Sequence, residues 1–156
     1  MAARIGCKPV TAREVVLLAK GMREMDKQEL QAVCDLTPLD AVLASVAASD
    51  ARFVKSWFAD EVLLGIGGCS PLRDSPGMAA PWLLGTDDLS RYLCALTRLA
   101  RRELVLMRAV YPHLSNVIDA RQTQTLAWLR SLGFVTTDEP ERKPGFKLAR
   151  FVLGGW

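Results

Sequence analysis

The sequence lacks several of the patterns by which whole classes of protein are recognised. It has four cysteines without a CxxC pair and a single histidine, so the ligand spacing typical of a metal site is absent. The first residues contain no apolar signal-peptide core, and no apolar run approaches the roughly 18 to 20 residues needed to cross a bilayer. These absences predict reduced thiols, no membrane association and a cytoplasmic location.

The sequence also lacks a large excess of either positive or negative charge. The 20 basic and 17 acidic residues give a net charge of +3, and no concentrated basic patch indicates nucleic acid as a partner. A nucleic-acid-binding function is supported only by the arginines of a predicted long helix and by the segment ERKPGFK. Half of the 156 residues are hydrophobic, which predicts a single domain with a real core over residues 1–156.

Capping patterns predict three helices near the N-terminus. Thr11 is followed three residues later by a glutamate, as in a capping box. The run from Asp26 to Glu29 repeats that pattern, which indicates a short second helix or a bent continuation of the first. Thr37 precedes Pro38, which suits the first position of a helix because no amide donor is needed there.

After the third predicted helix, the spacing of the hydrophobic residues changes to one typical of β-strands. The runs RFVKSWF and VLLGIGGCS predict a hairpin, and WLLGT predicts a further strand. Between them, residues 70–80 are rich in proline, glycine and serine and are expected to form a flexible loop. We expect the first three tryptophans, all inside predicted elements, to lie in the core.

The last part of the chain alternates helices and strands. A long helix is expected from a cap at Ser90 to about Val110, followed by a buried strand NVIDA and a helix that stops at Gly133. The run GFKLARFVLG closes the sheet. This order predicts an α/β (α+β) domain with one mixed sheet and helices on both faces, in which WLLGT and NVIDA are adjacent and parallel.

This order of elements resembles the fold of the GNAT-type N-acetyltransferases. The resemblance is clearest over residues 116–134, where NVIDARQ, TQTLAWLRS and the Gly133–Phe134 pair match the fifth strand and the helix that follows it. In that superfamily, amides of a glycine-bearing loop before the long helix bind the cofactor diphosphate. Here that junction reads WLLGTDDLSRYL, with one glycine and with Asp87 and Asp88 where phosphates would lie.

A second resemblance covers about residues 20–134. The chain is similar to the gene-13-type internal virion or head-assembly proteins of short-tailed bacteriophages, in the blocks MREMDKQEL, ASVAASD, PWLLGTDDL and YPHLSNVIDARQTQTLAWLRSLGF. That family implies a virion protein made in a bacterial host cytoplasm, with a GNAT-like fold. This chain has Gln122 where the family pattern carries an asparagine.

Few residues suggest catalysis. His113 follows a proline in a predicted turn, Cys94 is expected to be a small buried hydrophobe, and the arginines of the long helix are expected to face solvent. Asp119 and Arg121 flank the end of the fifth strand, where a transferase could hold a substrate, but an ion pair at the strand end is the simpler explanation. We therefore assign no catalytic residue and no metal ligand from the sequence.

The favoured interpretation is a non-enzymatic phage assembly or internal virion protein that uses no cofactor. Its expected partners are phage structural proteins or further copies of itself, in the host cytoplasm or the virion. Trp156 is expected to pack on its own sheet or on a partner. The alternative is an acyl-CoA-dependent N-acetyltransferase acting on a host or phage amine, with acetyl-CoA bound by Leu84, Gly85, Thr86, Asp119, Arg121, Gln122 and Trp128.

Overall fold

A computed structural model describes residues 1–154 of the chain. Helices and strands follow one another in this order: β1 (Ile5–Pro9), α1 (Ala12–Gly21), α2 (Glu24–Val33), α3 (Pro38–Ala48), β2 (Lys55–Ala59), β3 (Val62–Pro71), β4 (Met78–Gly85), α4 (Asp87–Val110), β5 (His113–Asp119), α5 (Thr123–Ser131), β6 (Val135–Asp138) and β7 (Leu148–Leu153). The predicted hairpin is β2 and β3, and WLLGT and NVIDA fall in β4 and β5.

All the strands form one mixed sheet in the order β1-β2-β3-β4-β5-β7-β6. Every neighbouring pair is antiparallel except β4 and β5, which are parallel and are joined through α4. A helical crossover is the connection that parallel neighbours require. The predicted α+β architecture is confirmed, including the parallel contact between the strands that contain WLLGT and NVIDA.

The apolar side chains of the helices bury both faces of this sheet. On one face, Val15 and Leu18 of α1 and Val42 of α3 pack against Ile66 and Leu84. On the other face, a row of leucines from α4 packs under β2 and β3, and α5 packs with β5 and β7. This burial is the main favourable term that holds the layers together.

Two of the predicted helix starts are wrong. The capping box of α1 is confirmed, because Thr11 Oγ1 accepts from the Glu14 amide. By contrast, α2 begins at Glu24, and Asp26 lies inside it with only 1% of its surface exposed. The long helix begins at Asp87 after Thr86 instead of at a Ser90 cap.

The predicted loop at 70–80 is shorter in the structure, because β3 continues to Pro71 and β4 already begins at Met78. Two strands were not predicted: β1 is a half-buried edge strand, and β6 lies between the helix that stops at Gly133 and the closing strand. Cys94 is exposed, contrary to its prediction as a buried hydrophobe. Trp156 lies outside the described residues, so its prediction stays untested.

Among residues 1–154, no single helix is both long and apolar enough to cross a membrane, although α2 and α3 pass that test together across a 71° bend.

The arginines of α4 are exposed, as predicted: Arg98, Arg101, Arg102 and Arg108. Gly133 has a φ of 101°, which lets the Phe134 amide donate back to Leu129 O at 3.1 Å and ends α5.

The core under α4 gives a direct test of this packing. Leu96→Ala removes a side chain that is fully buried against the sheet, so it should lower the free energy of unfolding by about 2–5 kcal/mol. The same substitution at Leu106, which is 47% exposed on the same helix, should change it by less than about 0.5 kcal/mol. Urea denaturation measures both. Equal losses would show that α4 does not pack through this face.

Candidate active site

The parallel strands β4 and β5 pair at only two positions before they separate. Met78 pairs with His113 and Ala79 with Leu114, and no pair follows although both strands continue. The next bond of a parallel ladder needs an N–H on residue 81, which is a proline without one. Pro81 therefore ends the ladder and leaves a gap, here called the cleft, between the carboxyl halves of β4 and β5.

The side chain of Asn116 occupies the point where the strands part. Its Nδ2 donates to Pro81 O at 2.9 Å, and its Oδ1 accepts from the Val117 N–H at 2.8 Å. One side-chain amide thus satisfies a carbonyl on β4 and an N–H on β5 that would otherwise face the gap unpaired. Asn116 is the only asparagine in the chain, and it keeps the strands apart without leaving these groups unsatisfied.

Backbone groups of β4 and β5 face the cleft beyond this amide. Every second residue of β4 turns its N–H and C=O towards β5, as the bonds of Gly77 O, Pro81 O and Gly85 on that side show. The same alternation directs the N–H and C=O of Leu83 into the cleft. The Val117 C=O faces it from β5. No strand among residues 1–154 lies against these groups.

A cavity of about 260 Å³ passes through this part of the sheet. Its walls are largely apolar, with Leu30 and Val33 of α2 on one face of the sheet and Leu93 of α4 with Trp128 and Leu129 of α5 on the other. A mostly apolar cavity with a few directed polar groups is the usual form of a small-molecule site. The cleft is therefore the candidate active site.

Helix α2 crosses the wide end of the cleft, and a buried ion pair between Arg23, the residue before the helix, and Asp26 lies at its start. Arg23 Nε donates to Asp26 Oδ2 at 2.7 Å, and both side chains are at most 4% exposed. Asp26 Oδ2 also accepts the Gly85 N–H at 2.8 Å, while the Arg23 N–H donates to Gly85 O at 2.9 Å. Burial raises the pKa of Asp26, and the bonds from Arg23 and Gly85 oppose that rise.

Glu29 lies about one turn after Asp26 on α2 and lines the cavity. Its Oε1 accepts the Asp119 N–H at the end of β5, at 2.5 Å. Burial is the main cause that raises the pKa of Glu29 to about 7, and the negative charges of Asp26 and Asp119 add to it. A carboxylate of this kind takes up and releases a proton near neutral pH.

The residues after β5 form a second ion pair. Arg121 Nη2 donates to Asp119 Oδ2 at 2.7 Å, and the Arg121 amide donates to Asp119 Oδ1 at 2.9 Å, so the predicted strand-end pair is confirmed. Gln122 is buried at the start of α5, where its Oε1 accepts from Thr125, and its Nε2 has no partner within residues 1–154. Trp128 Nε1 donates to Thr97 Oγ1 at 3.1 Å.

The structure brings only part of the predicted cofactor set to the cleft. Leu84 and Trp128 line the cavity, whereas both polar backbone groups of Gly85 are bonded to α2, and the Thr86 hydroxyl donates to Leu63 O and Leu64 O. The prediction missed Leu83, whose backbone faces the cleft instead of that of Leu84. It also missed Arg23, Asp26, Glu29 and Asn116.

A helical spacing in the sequence could have indicated the α2 residues. Arg23 and Asp26 are three residues apart, and Glu29 follows after three more, so their side chains share one side of a helix. The run from Asp26 was instead interpreted as a second capping box. No local signal marks Asn116, because its partner Pro81 is 35 residues away.

No protein-family model and no curated protein matches the chain. Solved structures do match over nearly all of its length. An acetyltransferase from Bacillus subtilis in complex with CoA has a TM-score of 0.62 at 12% identity, with 99% of each chain covered. An N-acetyltransferase from Staphylococcus aureus Mu50 has a TM-score of 0.65 at 12% identity, with 97% of this chain and 99% of that chain covered.

Spermidine N-acetyltransferase from Vibrio cholerae, in complex with CoA and spermine, has a TM-score of 0.66 at 8% identity, with 96% of this chain and 94% of that chain covered. The fold is therefore the GNAT fold, as the resemblance predicted. The interpretation as a non-enzymatic phage assembly protein is wrong, because the similar structures are acetyltransferases and nothing indicates a virion protein. The matches favour its enzymatic alternative.

Two of the matched structures contain CoA, so the expectation that no cofactor is used has no support here. The apolar cavity beside Leu83 fits an extended acyl arm. The junction of β4 and α4 does not fit a diphosphate, because Asp26 holds the N–H of its only glycine and Asp87 and Asp88 follow at once. The residues present therefore fit the acyl-bearing arm of CoA but not its diphosphate.

The amide of Asn116 can be tested without reference to ligands. Asn116→Leu keeps the approximate size of the side chain but leaves Pro81 O and the Val117 N–H unpaired, so it should lower the free energy of unfolding by about 1–3 kcal/mol. Gln28→Leu, which alters an exposed amide on α2, is the control and should cost less than about 0.5 kcal/mol. If the two variants unfold at the same urea concentration, the amide does not hold the strand ends.

Proposed function

We propose that this protein transfers an acyl group from a thioester to an amine, in the cleft between β4 and β5. The observation that carries the proposal is the pairing of two groups at one cavity, the unpaired backbone of Leu83 on β4 and the carboxylate of Glu29 on α2. Acyl transfer needs a hydrogen-bond donor for the carbonyl oxygen and an acceptor for the proton of the amine. These two groups supply that combination.

The Leu83 N–H is suited to the carbonyl oxygen of the thioester. It lies on a strand that is fixed on its other side by the long antiparallel pairing with β3, so its direction is set before a substrate arrives. A fixed donor in a largely apolar cavity stabilises the negative charge that develops on the oxygen during attack. Separation of the strands at Pro81 is what leaves this donor free.

Glu29 is suited to accept the proton of the amine. At neutral pH its carboxylate is divided between the charged and neutral forms, because burial raises its pKa to about 7. A general base works best when its pKa lies near the working pH. The bond from the Asp119 N–H holds the carboxylate in place across the cleft.

The charges around Glu29 favour a cationic acceptor. Asp26 is paired with Arg23 and Asp119 with Arg121, so Glu29 adds a negative charge of its own when it is ionised. An aliphatic ammonium group would be attracted to that charge before it loses its proton. The spermine in the Vibrio cholerae structure is an amine of this chemical type.

In the proposed reaction, the nitrogen of the neutral amine attacks the carbonyl carbon of the thioester. The carbon–nitrogen bond forms, Glu29 accepts a proton from the nitrogen, and the carbon–sulfur bond breaks. The leaving thiolate takes up a proton from solvent, and Glu29 gives the proton it accepted back to solvent, so the carboxylate is restored and no proton is gained or lost overall. The products are an amide and a free thiol, with no oxidation or reduction.

The test measures thiol release from acetyl thioesters in the presence of a panel of primary amines, including spermine and lysine peptides. Glu29→Gln should lower the rate by about 10²- to 10⁴-fold, because the amide cannot accept the proton. The wild-type rate should show an ionisation near pH 7 as the pH rises, since the base must be ionised, and in the variant only the rise that comes from deprotonation of the amine should remain.

Glu24→Gln is the matched control, because it makes the same change at an exposed position at the start of the same helix. It should leave the rate and its pH dependence unchanged. Thermal unfolding of both variants checks that they are folded. The proposal fails if folded wild-type protein releases no thiol with any donor and amine, or if the two variants behave alike.

A further inference from the structure

We infer that the acyl donor is a thioester whose arm carries no diphosphate, such as an acylated pantetheine arm without the nucleotide. This inference rests on the proposed function and specifies its donor. Three features of the junction between β4 and α4 carry it: a glycine amide that already holds a carboxylate, a first helical turn bonded to its neighbours, and two acids at the helix start. Each opposes a diphosphate, and none opposes an uncharged arm.

The first feature is the carboxylate of Asp26 on the Gly85 amide. A phosphate oxygen binds at such a junction by accepting backbone N–H groups, above all those of glycine, where the approach is close. Here Asp26 Oδ2 accepts the Gly85 N–H at 2.8 Å, with Asp26 almost fully buried and paired with Arg23. The protein therefore carries its own anion at this place, and a second anion would meet like charge.

The second feature is the bonding of Ser90 in the first turn of α4. Its hydroxyl accepts from Arg23 Nη1 at 3.0 Å, and its carbonyl accepts from Gln124 Nε2 at 3.0 Å. The first bond ties α4 to the residue that precedes α2, and the second ties it to α5. A ligand that entered between the starts of α4 and α5 would have to break the bond from Gln124.

The third feature is the charge at the start of α4. Asp87 and Asp88 occupy its first two positions, where the helix dipole stabilises acids and where they compete with any other anion. Arg91 pairs with Asp88, Nη1 to Oδ1 at 3.5 Å, so part of its charge is already balanced. Two further negative charges of a diphosphate would be placed beside two existing ones.

The cavity itself suits the rest of such a donor. Leu93, Trp128 and Leu129 form an apolar wall, and the N–H and C=O of Leu83 lie free along one side. An amide N–H of the arm can pair with the Leu83 C=O while its carbon chain packs on the wall, and the Leu83 N–H stays available for the acyl carbonyl. The acyl carbonyl then lies within the same cavity as Glu29.

The experiment compares acetyl-CoA with acetyl-pantetheine, which keeps the arm and lacks the phosphates and the nucleotide. Thiol release is measured for both with the same amine at several salt concentrations. We expect acetyl-pantetheine to have a kcat/KM at least equal to that of acetyl-CoA. A kcat/KM for acetyl-CoA that is higher by about tenfold or more, the effect of one good interaction, would overturn the inference and leave the proposed function intact.

If neither thioester reacts, the proposed function fails, and binding decides the inference separately. Calorimetry with the unreactive S-acetonyl analogues of CoA and pantetheine then gives the two affinities. Tighter binding of the pantetheine analogue supports a donor site without a diphosphate. Tighter binding of the CoA analogue, or binding of neither, rejects it.

Charge variants test the physical cause. The double variant Asp87→Asn, Asp88→Asn should improve kcat/KM or affinity for the CoA compound by about three- to thirty-fold, with little change for the pantetheine compound. The control is Glu61→Gln, Asp74→Asn, which removes two exposed acids from other loops of the molecule. If both double variants raise the kcat/KM or affinity for the CoA compound equally, the net charge of the protein is the cause. Asp87 and Asp88 then have no special effect at the start of the helix.

Discussion

The whole candidate site depends on the absence of one hydrogen bond between β4 and β5. Pro81 has no N–H to continue the parallel ladder, and Asn116 supplies a side-chain amide that satisfies the groups exposed at that point. The strands can then separate without leaving unpaired polar groups at the branch. The open peptide of Leu83 follows from this separation, the cavity lies at the gap, and α2 lies over its wide end.

Helix α2 links the two separated strand ends to each other. Asp26 accepts from the end of β4 and Glu29 from the end of β5, so one helix fixes the width of the cleft through charged hydrogen bonds at both sides. The same arrangement places a carboxylate with a pKa of about 7 beside the open strand edge. The two acids that hold the strand ends thus also have the proposed chemical roles. Asp26 occupies the glycine amide that a phosphate would use, and Glu29, one turn away, is the proposed base.

The fold was predictable where the pattern is local. The strand, long helix and strand from Met78 to Asp119 have clear periods, and a strand–helix–strand unit closes most readily with its two strands parallel. The edge strand β1 was missed because it is short and only half buried. The site was not predictable in the same way. Asp26 has the sequence context of a cap, and Asn116 acts on a residue far away in the chain, so only the packed structure brings these groups together.

The most direct test of the account is the amide resonance of Leu83 in labelled protein. The unreactive S-acetonyl pantetheine should shift this resonance more than any other in β4 and slow its exchange with solvent, because the ligand would accept the free N–H. Resonances of β6 at the far edge of the sheet should not move. Saturable binding that leaves Leu83 unchanged, or that shifts an edge strand instead, would contradict the claim that the open edge of β4 is the binding site.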